Sequence, residues 1–324
     1  MSAVALENRT ESRPVKIPFR VRFSAWWQGY DPADVYAGDP VALEFDTGRR
    51  KAAPVASAGP PKKKVPLWTA DRIQGAERLW GAGMHTPGGD AHVQTLVKPF
   101  GLNPTMTVLD LGAGLGGCSR SMAKTYGSWV TGFEQWPILA EAGMLRSRMA
   151  GLDKKAPIEL YDPLTTQLKP RGYNCVFAKE SFFTIADKAR LFEQIAGTLR
   201  PGGQLCFTDY MLPESAKPTR AVDLWMANEP QEPFPCSSQD ILDLLAHHKL
   251  DVRIAEDITD MHQALILQGW RDLTQALAPG SVAPETLPHL VNEAELWARR
   301  GAVLRSGDVR VYRFYALKAG DPVS

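Results

Sequence analysis

From residue 67 onward, stretches with apolar residues at helical spacing alternate with short, nearly continuous apolar runs. Leu67 to Trp80 places Ile73, Ala76, Leu79 and Trp80 on one helical face. A Pro87-Gly88-Gly89 turn separates it from a second helix through Val93, Leu96 and Val97. Strands are predicted at Thr107 to Leu111, Trp129 to Phe133, Ile158 to Tyr161, Cys175 to Ala178 and Gln204 to Asp209. Between them fall helices over Ser119 to Tyr126, Ile138 to Ala150 and Lys188 to Leu199. A helix at Ser238 to His247, a strand at Val252 to Glu256, two helical stretches up to Arg300 and an alternating strand at Val309 to Leu317 complete the series. Helix and strand in alternation predict an α/β sheet.

Upstream the rhythm breaks. Residues 48–66 mix Ala, Pro and Gly with Lys62, Lys63 and Lys64 and read as a linker. They divide an N-terminal extension, residues 1–47, from a domain at 67–324. Within the extension, Ile17 to Tyr30 alternates at Phe19, Val21 and Phe23 and then carries Trp26 and Trp27. That is one strand with an aromatic anchor, which either packs on the main domain or docks a partner or membrane surface. Lys plus Arg number 37 against 36 Asp plus Glu. The near-balance offers no global field for nucleic acid. Nothing resembles a membrane span or a secretory signal, so a cytoplasmic protein is expected. Cys118, Cys175, Cys206 and Cys236 have no C-x-x-C spacing and are expected as reduced thiols.

The chemistry concentrates in VLDLGAGLGG, residues 108–117, a glycine-rich turn between a buried strand and a helix. Gly112 and Gly114 let the backbone turn sharply and approach a ligand closely. Gly112, Gly114 and Gly117 formally satisfy G-x-G-x-x-G, so a dinucleotide is considered. Asp110 argues against it, because a carboxylate there repels a pyrophosphate but suits the cationic amino-acid end of S-adenosylmethionine. Glu134 ends the second strand, where an acid can accept hydrogen bonds from ribose hydroxyls. Asp162, followed by Pro163, is placed to reach an adenine amino group.

VLDLGAGLGG, GFE, YDPL and LRPGGQLCFTDY, in this order, resemble the class I S-adenosylmethionine-dependent methyltransferases over about residues 105–210. The resemblance implies a doubly wound, mostly parallel, seven-stranded Rossmann-like sheet closed by an antiparallel strand, with a helical lid; the proline-rich stretch and later helical stretches, at about 211–236 and 258–305, read as cap insertions that roof the substrate pocket. The longer segment from LWGAGMHTPGG to the glycine turn is similar to the phosphoethanolamine and small-amine N-methyltransferases, where it forms a lid over the cofactor. By that resemblance Gly81, His85, Thr86 and Gly88 line the methionine side, Lys179 joins the cofactor wall, and His85 is either a base near the methyl group or a turn-capping residue.

The acceptor side departs from the phosphobase pattern. Trp68 stands where those enzymes carry a tyrosine, and Glu180 and Thr184 stand where they carry an Asp and a His one turn later. Trp225 and Glu229 replace the tyrosine and arginine that would hold a phosphate. An acid does not bind a phosphate dianion, whereas Trp225, Glu229, Trp68 and Glu180 would suit a cation held by aromatic faces and carboxylates; the same tryptophans also fit a packed core. Methyl transfer mainly requires a nucleophile held at about 3 to 3.5 Å and water kept out. An amine must be neutral to attack, so Glu180, Tyr210 or His85 could take its proton, Glu180 foremost. No metal site is expected, since His92, His262 and His289 lack ligand-like spacing.

The leading expectation is therefore an S-adenosylmethionine-dependent methyltransferase acting on a small, amine-bearing metabolite. Methylation of a lipid or quinone, with residues 17–30 in peripheral membrane contact, is an alternative, as is a catalytically silent cofactor-binding protein. A dehydrogenase is a minor fourth reading.

Overall fold

The computed structural model describes residues 67–213, 219–277, 284 and 286–320. The expected strand at Ile17 to Tyr30 and the 48–66 linker lie outside these residues.

Among the described residues two helices come first, α1 (Ala70–Trp80) and α2 (Gly89–Val97). The Thr69 hydroxyl caps α1 by accepting from Arg72 N, and Ile73, Ala76, Leu79 and Trp80 bury the predicted face. The sheet then begins with β1 (Thr107–Leu111), α3 (Gly117–Tyr126), β2 (Trp129–Glu134), α4 (Pro137–Met149), β3 (Ile158–Leu160), β4 (Tyr173–Lys179), α5 (Lys188–Thr198) and β5 (Leu199–Leu212). The cap and closing elements are α6 (Arg220–Asn228), β6 (Cys236–Ser237), α7 (Ser238–His247), β7 (Leu250–Asp257), α8 (Thr259–Ala276), α9 (Leu287–Ser306) and β8 (Arg310–Lys318).

The strand order is β3-β2-β1-β4-β5-β8-β7, with short β6 paired to β5 off this path. The expected seven strands form the path, and β6 is an eighth that two residues are too few to signal. β8 runs antiparallel to both β5 and β7, and the other pairings are parallel. The apolar runs make sense in this setting, because parallel strands with helices on both faces are buried on both sides. Leu109, Val176, Phe207 and Phe314 carry the core across four adjacent strands, and Phe207 stacks on Phe314 at 5.0 Å between ring centroids.

Two details add to the expected series. The Arg200-Pro201-Gly202-Gly203 turn lies inside β5 rather than before it: Tyr173 pairs with Leu199, Cys175 pairs with Gln204, and the residues between bulge out of register. Met211 to Pro235 contains a helix, α6, capped by Thr219. Its prolines fall outside the helical residues 220–228, so they punctuate the segment without breaking the helix. Among the described residues no helix is long and apolar enough to cross a membrane.

Strand order reverses between β1 and β4, and in such sheets ligands bind in the crevice beyond the carboxyl ends of the strands at that point. Leu111 and Lys179 end the two strands there, under the lid that joins α1 to α2.

Candidate active site

At the end of β1 the chain enters the glycine turn with Gly112 and Gly114 at φ +78° and +55°. A Cβ at Gly112 would run into the Ser181 side chain, and one at Gly114 into the His85 ring. The lid therefore rests directly on the turn, and only glycine admits that approach. Gly112 N and Ala113 N donate to Phe133 O, tying the turn to β2.

Two buried carboxylates flank it. Asp110 accepts from Ser119 Oγ at 2.6 Å, and burial pushes its carboxyl up to about 6. Glu134 accepts from Gly114 N at 2.7 Å and Trp136 N at 2.8 Å; burial pushes it up to about 7. A carboxylate has about four lone-pair positions, so Glu134 braces the turn and keeps acceptor capacity toward the cavity it lines with Gln135, Trp136 and Leu139. Asp162 behaves otherwise. It is exposed and accepts from Leu164 N and Thr165 Oγ1, bonds that hold its carboxyl below the usual range. Asp162 and Pro163 do not line the cavity; the acid caps its own turn.

Lys179, ending β4, fastens the lid: its Nζ donates to Thr86 Oγ1 at 2.6 Å and Pro87 O at 2.8 Å. His85 packs edge-on to Trp68 at 5.8 Å. Burial, and then the Lys179 charge, lower the His85 pKa to about 4, leaving the imidazole neutral.

Beyond the turn lies a cavity of about 120 Å³ that brings together His85, Thr86, Gly112, Glu134, Lys179, Glu180, Thr184, Trp68 and Glu229. Glu180 has the backbone conformation least expected of it, φ +51°. Its N–H donates to Thr208 O at 2.7 Å, so the strained residue is pinned to β5. Burial is the largest single influence and raises its carboxyl, but Lys179, 3.3 Å away, together with His262 and His92, brings the net shift downward. The acid is ionised at neutral pH.

The roof differs from expectation. The Glu229 carboxylate accepts from Trp225 Nε1 at 2.7 Å and from Arg300 Nε and NH2 at 2.9 and 2.7 Å. It is spent on an internal cation, and Trp225 is buried outside the cavity lining. Trp68 likewise has Arg72 over its ring at 4.1 Å, and Trp297 has Arg300 at 4.6 Å. The cation-on-aromatic contacts foreseen for a substrate are made within the protein. Tyr210 is also absent from the lining; it is 1% exposed and its hydroxyl lies 3.2 Å from His262 Nε2.

Arg72, Glu293, Trp297, Arg300 and His262 were not singled out as site residues from the sequence. Glu293, Leu296, Trp297 and Arg300 occupy one face of α9 and line the cavity. Charges at the first and last places of an otherwise apolar i, i+3, i+4, i+7 stripe were the signal available, because an apolar stripe ordinarily faces a core.

A glycine turn at a sheet's switch point, with an acid next to last in the first strand and another ending the second, defines a nucleotide-type cofactor site in a doubly wound α/β protein. Residues 90–253 match the family described as methyltransferase domain. The chain belongs to that family, and its class is that of the class I S-adenosylmethionine-dependent methyltransferases. It is 32% identical over 127 residues to a glycine/sarcosine/dimethylglycine N-methyltransferase of Actinopolyspora halophila, covering 39% of this chain and 22% of that protein. It is 29% identical over 148 residues to phosphoethanolamine N-methyltransferase 2 of Caenorhabditis elegans, covering 44% and 33%. Both alignments span a third or less of the relative's length. Haemonchus contortus phosphoethanolamine N-methyltransferase 2, solved with phosphomonomethylethanolamine and S-adenosylhomocysteine, shares the fold at a TM-score of 0.69 and 19% identity over 78% of this chain and 58% of that one.

Proposed function

We propose that residues 67–320 form a methyltransferase domain that uses S-adenosylmethionine to methylate a small, zwitterionic amine. The observation that carries this reading is the placement of Glu180 in the cavity wall, one residue beyond β4, in the same lining as Gly112 and 3.3 Å from Lys179.

The donor set suits the cofactor. Asp110 would face its cationic amino-acid end, Glu134 its ribose hydroxyls, and Gly112 and Gly114 allow the close backbone approach. Bound there, S-adenosylmethionine supplies a methyl carbon made electrophilic by its sulfonium. Lys179 holds the lid over the turn through Thr86 and Pro87, which excludes water. Glu180 takes the proton of the acceptor's ammonium, leaving a neutral amine able to attack.

The acceptor's charge follows from the walls. Three ion pairs line the cavity: Lys179 with Glu180 at 3.3 Å, Arg72 with Glu293 at 2.8 Å, and Arg300 with Glu229 at 2.7 Å. Their charges cancel, so a dianionic phosphate ester finds no surplus of positive charge, whereas a molecule carrying one ammonium and one carboxylate meets partners of both signs. The Actinopolyspora relative's name, glycine/sarcosine/dimethylglycine N-methyltransferase, supports such an acceptor.

Labelled methyl transfer from S-adenosylmethionine tests this, with glycine, sarcosine, phosphoethanolamine and a cell extract as acceptors. Label in amino-acid-like products is expected. Transfer to phosphoethanolamine alone would overturn the charge argument, and label extracted into organic solvent would replace the acceptor with a lipid or quinone.

A further inference from the structure

Behind the cavity wall, Glu180 continues into a buried chain of polar groups. His262, in the first turn of α8, is 1% exposed. Its Nδ1 lies 3.5 Å from Glu180 Oε1 and its Nε2 lies 3.2 Å from the Tyr210 hydroxyl. His262 Nδ1 and Glu180 Oε1 are both buried side-chain atoms with no hydrogen-bond partner; Oε1 has the Lys179 ammonium at 3.3 Å, and Nδ1 and Oε1 lie 3.5 Å apart.

Hydrogen-bond accounting then fixes the direction of the chain. An ionised carboxylate only accepts. Burial, in spite of the nearby Glu180 charge, lowers the His262 pKa to about 4, so its ring is neutral and carries one N–H. If that hydrogen sat on Nε2, two acceptors would face each other at Nδ1 and Oε1, an unpaired burial that costs about 1–3 kcal/mol. With the hydrogen on Nδ1, His262 donates to Glu180 and accepts from the Tyr210 O–H. Every group is then paired.

We propose that His262 is a positioning residue for Glu180, held as the Nδ1–H tautomer, and that Tyr210 donates inward to fix that tautomer. The inference rests on the reading of Glu180 as the base of the cavity. It is independent of which amine is the acceptor. Three features make a positioning role necessary. The Glu180 backbone is in the left-handed region, which a glutamate adopts only when its surroundings impose it. Lys179 binds the carboxylate from one side and is also tied to the lid. His262 supplies a second, uncharged donor from α8, so the carboxylate has a defined orientation even when Lys179 follows the lid. Tyr210, sealed between Phe183, Trp225 and His262, thereby becomes part of the scaffold and not a base.

The test uses the full-length protein with 15N-labelled histidine. Two-bond proton–nitrogen correlations report the tautomer of each ring, and the His262 signal is assigned by its loss in His262→Asn. The expected spectrum shows Nδ1–H for His262 in wild type and a change of tautomer or protonation in Glu180→Gln; an Nε2–H ring in wild type overturns the proposal, whether or not methyl transfer is found. The kinetic arm uses whichever acceptor takes label. His262→Phe should lower kcat about 10-fold or more with the KM for S-adenosylmethionine little changed. His262→Asn, whose amide can replace the Nδ1 donor, should recover most of it. Equal loss in both variants, or loss only in proportion to unfolding, overturns the positioning role. Absence of transfer from every acceptor, with the expected tautomer present, would count against Glu180 as the base while leaving the tautomer assignment standing.

Discussion

The two halves of the cavity are built on opposite principles. The cofactor half is made of backbone and single acids within one stretch, with Gly112 and Glu134 in the cavity wall and Asp110 in a small separate pocket that Gly112 also lines. The roof is made of side chains from distant elements, Arg72 and Glu293, Glu229 and Arg300, Glu180 and His262, and each depends on a partner more than 70 residues away. The first half gains its geometry from local chain conformation. The second gains it from paired charges, so its residues are at once structural and functional. Losses in the roof should therefore appear mainly as stability, and losses in the cofactor half mainly as ligand affinity.

The largest expected effect tests the roof. Glu229→Ala leaves Arg300, buried at 12% side-chain exposure, without its carboxylate, and removing one partner of a buried pair costs about 3–5 kcal/mol. A fall in melting temperature of roughly 10 °C should follow. The double variant Glu229→Leu with Arg300→Met should recover most of it, since matched apolar replacement of a buried pair is often neutral. A single variant as stable as wild type would remove the contrast between the halves.

Acid sharpens it next. His262 has a lowered pKa in the fold, so the unfolded chain binds its proton first. Its contribution to stability is present above about 6.5 and is lost as pH falls toward 4. His262→Phe has no such proton to gain. Wild type should thus lose on the order of 3 kcal/mol relative to the variant between pH 6.5 and 4, measured by denaturant titration at each pH. Asp110 and Glu134 have the opposite sign, with raised folded pKa values of about 6 and 7. They are present in both proteins and cancel in the difference.

In the cofactor half, Asp110→Asn keeps the shape and an acceptor for Ser119. Calorimetry should show S-adenosylmethionine affinity reduced about 100-fold, some 2.7 kcal/mol. The melting temperature should be unchanged or higher above pH 6, because burial penalises the charge that the substitution removes. A large loss of stability instead would make Asp110 a structural acid and erase the distinction.

The same contrast explains what could be read from sequence. Seven strands and the glycine turn are legible because they follow from contiguous sequence, and the same motif places Asp110 and Glu134 beside that turn. Glu180 and the lid residues His85 and Thr86 stood out by resemblance and do line the cavity. Glu229 was given a cation to hold, correctly in sign, but the cation proved to be Arg300 from α9. No periodicity reveals a pairing across 71 positions. Asp162 shows the converse: an acid after a strand is also the usual acceptor for its own turn, and here Leu164 N and Thr165 Oγ1 donate to it locally. His262 escaped because helical spacing makes a histidine on an apolar face look like core, which it is, until its two nitrogens are asked for partners.

The smallest expected effect sits where the halves meet. Thr86 belongs to the lid, yet it is fixed by Lys179, whose other contact is Glu180 in the roof. Thr86→Val keeps the shape and removes one acceptor from an ammonium that retains Pro87 O and Glu180. A hydrogen bond to a charged group contributes about 1.5–3 kcal/mol, and the remaining partners offset much of that loss. Cofactor affinity should fall only about 3- to 10-fold, at the level of 1 kcal/mol, chiefly through faster release as the lid opens. Stopped-flow dissociation rates separate this from a change in the pocket itself. If release is unchanged and the acceptor KM rises instead, Lys179 serves Glu180 more than the lid, and the boundary between the halves belongs one residue earlier, at the end of β4.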